Sequence, residues 1–301
     1  MQTTPNSPWL SNPRIIRTES LDGLPIYQLA GSFGMARFSP QGAHLMDFTP
    51  AGQQPLLFLS KKTALIPGKA VRGGIPVIFP WFGARREHPE SPMHGLVRTR
   101  MWEIEELDVP DQGAARVRMT FNSNAETLEL WPHAFSLSVS LTLGPRLSVC
   151  WETVNTGDLP FEFEQALHPY FRVTDVSTAS VRGLQGCEFI DKTDTMAVKT
   201  DTAEAVKFMG ETDRVYLGTS AMLTLGDPAG ASEIIVEKTG SANSVVWNPW
   251  VEKAALLSDL EDDEWKDFVC VEQANAGRNF VRLPAGGIHT LEANYARRPV
   301  Y

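Results

Sequence analysis

Six histidines, His44, His88, His94, His133, His168 and His289, are the side chains of this sequence able to hold or release a proton near neutral pH. Two are set aside at once: His88 lies in the polar run Arg-Arg-Glu-His-Pro-Glu, and His133 follows Trp131-Pro132 at a strand entrance. His168 differs. Along residues 161–172, alternation places Phe161, Phe163, Leu167 and Phe171 on one face of a strand and Glu162, Glu164, His168, Tyr170 and Arg172 on the other. Pro169 has no ladder donor, so the strand is expected to bend or end there and expose the imidazole. A solvated or structurally satisfied histidine stays open at this point. Glu272 is the complementary candidate, a carboxylate delivered by the apolar run Phe268-Val-Cys-Val. Partial desolvation would make it a stronger base, unless the strand has reached solvent by residue 272.

A second chemistry is written in charge. The chain carries −9 overall, yet residues 69–100 hold Lys69, Arg72, Arg85, Arg86, Arg98 and Arg100 against only Glu87 and Glu90. That surplus of four leaves −13 on the remainder, a contrast that suits an anionic small molecule better than a polyanion. The island opens with Val71-Arg72-Gly73-Gly74-Ile75-Pro76, where glycines would let backbone amides approach an oxyanion and the guanidinium could bond it bidentately. A glycine turn bearing a solvated arginine is the alternative, and Arg98, after His94-Gly95, shares that ambiguity.

The elements that must position these groups are strands. Residues 135–143 alternate without a break, residues 115–121 do the same, and 147–154 continue the pattern up to a turn at Asn155-Thr156-Gly157-Asp158. Strand-like runs recur at 15–17, 25–29, 43–48, 56–59, 161–167, 233–238, 244–247 and 268–273. One short helical candidate lies around 259–266. With 23 glycines and 21 prolines spread along the chain, the expectation is an all-β, mostly antiparallel sandwich with few short helices. Residues 1–13 are expected to be a flexible segment and 14–301 a single domain, since no linker, repeat or low-complexity tract interrupts them.

Other chemistries lack anchors. No HxH, HExxH or CxxC spacing suggests a metal, and no P-loop, GxGxxG or GxSxG suggests nucleotide or acyl chemistry. Neither a metal nor a cofactor is expected. The negative charge argues against nucleic acid and acidic membrane surfaces as partners, and no obligate protein partner is evident. Cys150, Cys187 and Cys270 form no disulfide pattern, and no stretch has the length of a signal peptide or a membrane span. The expected compartment is the cytoplasm.

Six ordered strings carry a resemblance: RGGIPVIFPWFG (72–83), HGLVRTRMWEI (94–104), HPYFRVTD (168–175), DRVY (213–216), VWNPWVEKA (246–254) and DDEWKDFVCVEQA (262–274). Together they resemble the hexose-6-phosphate mutarotases, the glucose-6-phosphate 1-epimerase branch of the aldose 1-epimerase superfamily, over residues 25–295. The resemblance implies a galactose-mutarotase-like β-supersandwich that interconverts the α and β anomers of a hexose phosphate without a cofactor. It implies His168 as general acid on the ring oxygen and Glu272 as general base on the anomeric hydroxyl. Arg72, Arg98 and Asp213 would contact phosphate and sugar, and His94 would assist at the ring oxygen or orient the sugar. Met93 stands where the family often has a substrate-binding glutamine, so that role is not carried over. Arg85, Arg86 and Arg100 have no implied role, and Trp81, Trp247 and Trp250 are each candidates for stacking on the sugar or for core.

Overall fold

A computed structural model describes residues 8–85, 88–220 and 222–300. The long alternating segments lie together toward one edge of a nine-stranded sheet. Ala115–Asn122, Phe135–Leu143 and Leu147–Asn155 pair in sequence as an antiparallel meander. The twelve-residue strand Ile288–Pro299 joins this meander to Ser232–Thr239. Their inward residues, Val117, Met119, Leu137, Val139, Val149, Trp151, Leu291 and Tyr295, are all buried. Period-two patterning is satisfied because one face of the sheet is core.

An eight-stranded antiparallel sheet packs across that core. Its order runs from Ala197–Thr200 through Glu188–Asp191, Thr212–Tyr216, Asn243–Asn248 and Phe268–Asn275 to Gln165–Leu167 and Val77–Ile78. Tyr170–Arg172 also pairs with Phe268–Asn275. Phe171 meets Tyr295 of the other sheet at 5.1 Å between ring centroids. Near one end Phe79 lies 5.0–6.3 Å from the rings of Trp131, Phe135, Trp151 and Phe163. A smaller sheet, Ile15–Glu19, Pro25–Gly31, Gly34–Ser39 and His44–Pro50, flanks the pair. The all-β, antiparallel expectation holds.

Three local expectations change. Residues 161–167 form two strands, Phe161–Phe163 and Gln165–Leu167, broken at Glu164, whose amide donates to Pro80 O. Residues 56–59 make only isolated bridges, from Leu57 to Phe171 and from Leu59 to Gly73, because their hydrogen bonds go sideways to the chain around Tyr170 and Arg72. Around 259–266 only a 3-10 turn, Glu264–Asp267, forms; the two α-helices described are Ala125–Leu130 and Trp250–Ala254. Asn124 and Thr127 build a capping box at the start of Ala125–Leu130, a local signal that outweighs the helix's short length. Of the N-terminal segment, residues 1–7 lie outside the described residues, Pro8–Ser11 forms a 3-10 turn, and Asn12 Nδ2 donates to Val109 O at 2.8 Å.

The Arg72-Gly73-Gly74 turn is shaped by close packing. A Cβ on Gly73 would stand 2.5 Å from Phe58 O, and one on Gly74 would stand 2.2 Å from Leu45 O; both residues also have positive φ. The Gly74 amide donates to Phe58 O, so it is not free for an oxyanion, and the expected amide cradle is corrected there. His44, buried beneath the turn, places Nε2 3.0 Å from Gly73 O. Burial pushes its pKa down to about 4. The unfolded chain therefore binds a proton that the native His44 refuses. Stability should fall as pH drops from the ordinary histidine range toward 4, by a few kcal/mol in denaturant unfolding, and a His44→Gln variant should lose part of that slope.

Candidate active site

Sheet register assembles the site. Asp213 is the cross-strand partner of Trp247, Trp247 of Cys270, and Cys270 of Tyr170. Two residues further along Phe268–Asn275, Glu272 projects from the same face as Cys270, opposite Val245. Gln165–Leu167 pairs with 273–275 of that strand and Tyr170–Arg172 with 268–270. His168 and Pro169 fall in the gap between those pairings. His168 N donates to Pro76 O and Tyr170 N to Gly74 O, while Pro169, with no amide, marks the break.

The gap brings His168 Nε2 to 3.1 Å from Glu272 Oε1. Pro169 does interrupt the strand, but the imidazole turns inward: the His168 side chain is 12% exposed and that of Glu272 2%. The exposed imidazole expected from sequence is corrected, and Glu272 has not reached solvent. His168 Nδ1 and Glu272 Oε2 are both buried, and neither has a hydrogen-bond partner among the described residues. Each such atom costs roughly 1–3 kcal/mol unless something bonds it.

Burial decides how this pair is protonated. It holds the Glu272 carboxyl well above the carboxylate range, with Lys192 pulling the other way and Asp213 adding to the rise. It holds His168 well below the imidazole range, helped by His94, Arg72 and Arg98. A 3.1 Å contact alone would also suit a carboxylate and an imidazolium. With both groups desolvated, the neutral form is favoured: one proton, on Glu272, donated to His168.

His94 faces the same pair, edge-on to the His168 ring at 6.1 Å. The Gly83 amide donates to its Nδ1 at 3.2 Å, which leaves the ring proton on Nε2. Burial first, then Arg98, Lys192 and Arg72, push its pKa down to about 3, so His94 is a neutral donor. The Tyr170 ring stacks on His168 at 4.9 Å and 12°. Its hydroxyl accepts from Arg72 Nη1 at 2.9 Å, and Arg72 Nε reaches Asp259 Oδ1 at 3.1 Å. Arg98, whose Nη2 donates to Met93 O, is lowered by burial and by the like charge of Arg72. An anion in front of both guanidiniums relieves that repulsion.

The basic island thus divides. Arg72 and Arg98 face the His168 side of the site. Arg85 turns away to Leu130 O and lies over the Trp81 ring, and Arg100 pairs with Glu126; Arg86 lies outside the described residues. Asp213 binds Lys192 at 3.0 Å. Of the three tryptophans, Trp247 reaches the site, 5.9 Å from both His168 and Tyr170, whereas Trp81 is buried and donates to Pro92 O and Trp250 packs on Trp265. Met93 contributes its carbonyl, and its side chain is exposed. Sequence reasoning missed Lys192, Asp259 and Phe82. Lys192 sits in Asp191-Lys192-Thr193-Asp194, a polar turn with no spacing to mark it. Among the described residues no group of three or more His, Cys, Asp or Glu is placed to hold a metal.

Two packed antiparallel sheets of this kind are the architecture of the galactose-mutarotase-like sandwiches. The same fold is seen in a galactose mutarotase related enzyme from Lactobacillus acidophilus, with a TM-score of 0.72 at 13% identity over 91% of this chain and 98% of that one. The chain belongs to the aldose 1-epimerase family, whose model matches residues 25–296. It is 34% identical over 262 residues to an Escherichia coli protein named "Putative glucose-6-phosphate 1-epimerase", covering 87% of each chain. The crystal structure of a "putative mutarotase (YeaD)" from Salmonella typhimurium superposes with a TM-score of 0.88 at 30% identity, over 96% of this chain and 95% of that one.

A shared proton between an upshifted carboxyl and a downshifted imidazole sets the pH response. Below the depressed His168 pKa the pair gains a second proton; above the raised Glu272 pKa it loses its only one. Activity measured from acid to alkaline pH should therefore show a broad plateau across neutrality. A limb at the ordinary carboxyl pKa would contradict the one-proton pair.

Proposed function

We propose that this chain interconverts the α and β anomers of a hexose 6-phosphate, with glucose 6-phosphate as the first substrate to test. The observation that carries the reading is the buried 3.1 Å contact between His168 Nε2 and Glu272 Oε1, beside the Arg72 guanidinium that donates to the hydroxyl of the Tyr170 ring stacked on His168. The 34% identity to the E. coli protein supports the same reading. In it Arg72 and Arg98 bind the phosphate, His168 faces the ring oxygen and Glu272 faces the C1 hydroxyl. His94 donates its Nε2 proton to the sugar, and Asp213 accepts from a sugar hydroxyl.

Opening a hemiacetal requires one proton to leave the C1 hydroxyl and one to reach the ring oxygen. The pair holds one proton to give and one site to take. Moving that proton from Glu272 to His168, across 3.1 Å, yields the imidazolium acid and carboxylate base that the step uses. A phosphate dianion on Arg72 and Arg98 offsets two of the charges that disfavour the imidazolium. Glu272 then takes the hydroxyl proton as His168 gives its own to the ring oxygen, and the ring opens to the aldehyde. Rotation about C1–C2 presents the other face of the carbonyl, and the reverse transfers close the ring. Proton transfer of this kind calls for no metal or cofactor.

Residues 14–301 act in this reading as one domain on a small sugar phosphate. No nucleic-acid, membrane or protein partner is part of it. The three free thiols favour the reducing cytoplasm as its compartment.

Magnetization-transfer NMR reads exchange between anomers directly. Glucose 6-phosphate should exchange far faster than glucose in the presence of the protein, and Arg72→Ala should remove most of that difference. His168→Asn and Glu272→Gln should each lower exchange by about a hundredfold or more while glucose 6-phosphate still binds. Equal acceleration of both sugars would remove the phosphate, and unchanged exchange in both variants would remove the pair.

A further inference from the structure

A third cation stands at the other end of the site from Arg72 and Arg98. Lys192 follows the strand Glu188–Asp191, and its amide donates to Asp213 O at 2.9 Å, which fixes its backbone against Thr212–Tyr216. Its Nζ lies 3.0 Å from Asp213 Oδ2 and 5.7 Å from the centroid of the Phe82 ring. Phe82 is in turn 5.3 Å from His94, and Asp213 is the cross-strand partner of Trp247, which meets His168 edge-on. The ammonium is therefore tethered to the wall of the site with its side chain 34% exposed. Of three N–H donors, one is directed at Asp213, which leaves donors for a ligand.

The sheet divides the site into two ends. Asp213, which holds Lys192, lies three strand pairings away from Tyr170, which accepts from Arg72, and the strand that carries Glu272 runs between them. A hexose 6-phosphate has a fixed order of groups: phosphate on C6, then C5, the ring oxygen, C1 with its hydroxyl, and C2. With phosphate at the guanidiniums, the ring oxygen at His168 and the C1 hydroxyl at Glu272, the next group in that direction is the hydroxyl on C2. It arrives at Asp213 and Lys192.

The geometry points to Lys192 as a substrate-binding residue for the C2 hydroxyl, donating to that oxygen while Asp213 accepts its proton, an assignment that rests on the mutarotase reading above. The contact has a mechanical use. Once the ring opens, C1 turns about the C1–C2 bond, and a grip on the C2 oxygen fixes one end of that bond while the other end rotates. Phosphate alone, carried on C6 four carbons beyond C2, leaves the C2 end free to follow.

Removing the hydroxyl and removing the lysine should have overlapping effects. Exchange is measured for glucose 6-phosphate and 2-deoxyglucose 6-phosphate with the intact protein, Lys192→Met, Lys192→Gln and Lys192→Arg. Losing a hydrogen bond from a charged donor should lower kcat/KM for glucose 6-phosphate by roughly tenfold or more in Lys192→Met and Lys192→Gln. For the deoxy sugar the same substitutions should change it less than about threefold, and Lys192→Arg should recover part of the loss. Equal losses on both sugars would overturn the assignment, since a lysine that only props Asp213 or the turn affects both alike. No loss on either sugar would also overturn it. If the intact protein binds glucose 6-phosphate without exchanging its anomers, the mutarotase reading fails by itself. The comparison is then made on the affinities of the two sugars by calorimetry, where an equal change again removes Lys192 from the C2 hydroxyl.

Discussion

A carboxyl and an imidazole 3.1 Å apart, nearly sealed from water in the face of a sheet, set the terms for everything around them. Burying either one charged would be costly, and sharing a single neutral hydrogen bond is the arrangement that limits the cost. It requires a strand that stops pairing for two residues without leaving the sheet. Pro169 supplies the stop, and the segments Gly74–Pro76 and Phe268–Asn275 hold the chain on either side of it. The opposite face of the same strands is buried in the aromatic core, which holds them in place.

Electrostatics then makes the site asymmetric. In a chain of net −9, three cations converge on one face: two guanidiniums near His168 and an ammonium near Glu272. Each cation is held by a carboxylate or a backbone carbonyl, Arg72 by Asp259, Arg98 by Met93 O and Lys192 by Asp213. Holding them this way keeps their positions fixed before a ligand arrives, so less conformational freedom is lost on binding. Glu164 performs the same service for the rim. Its carboxylate accepts from the amides of Phe82 and Gly277, at 2.7 and 2.5 Å, and so ties the loop that carries Phe82 to the end of the strand that carries Glu272.

Close backbone packing limits what the sequence can vary here. The Arg72 turn lies against the carbonyls of Phe58 and Leu45, and His44 bonds the carbonyl of Gly73 from below. The glycines serve the approach of one chain segment to another, which then aims Arg72 at Tyr170 and Asp259. His94 is held in a left-handed backbone conformation, φ 63°, with Gly83 donating to its ring; that strain is accepted where the ring must present Nε2.

The sequence by itself determined the strands and the faces. Alternation at 115–121, 135–143 and 147–154 is a local signal, because the side-chain period of a strand is two whatever it pairs with. The same rule put His168 on the face opposite Phe171 and Glu272 at the end of an apolar run, and the resemblance of six strings to a family implied roles for them. What alternation could not give is register across a sheet, and register is what the tertiary structure decided. It joined His168 to Glu272, turned the imidazole inward rather than out, and set both proton affinities through burial. It also sent Arg85 and Arg100 away from the site while bringing in Lys192, Asp259 and Phe82, whose surroundings in sequence are ordinary loop. Such contacts join segments far apart in the chain, and only packing of the whole sheet fixes which of them meet.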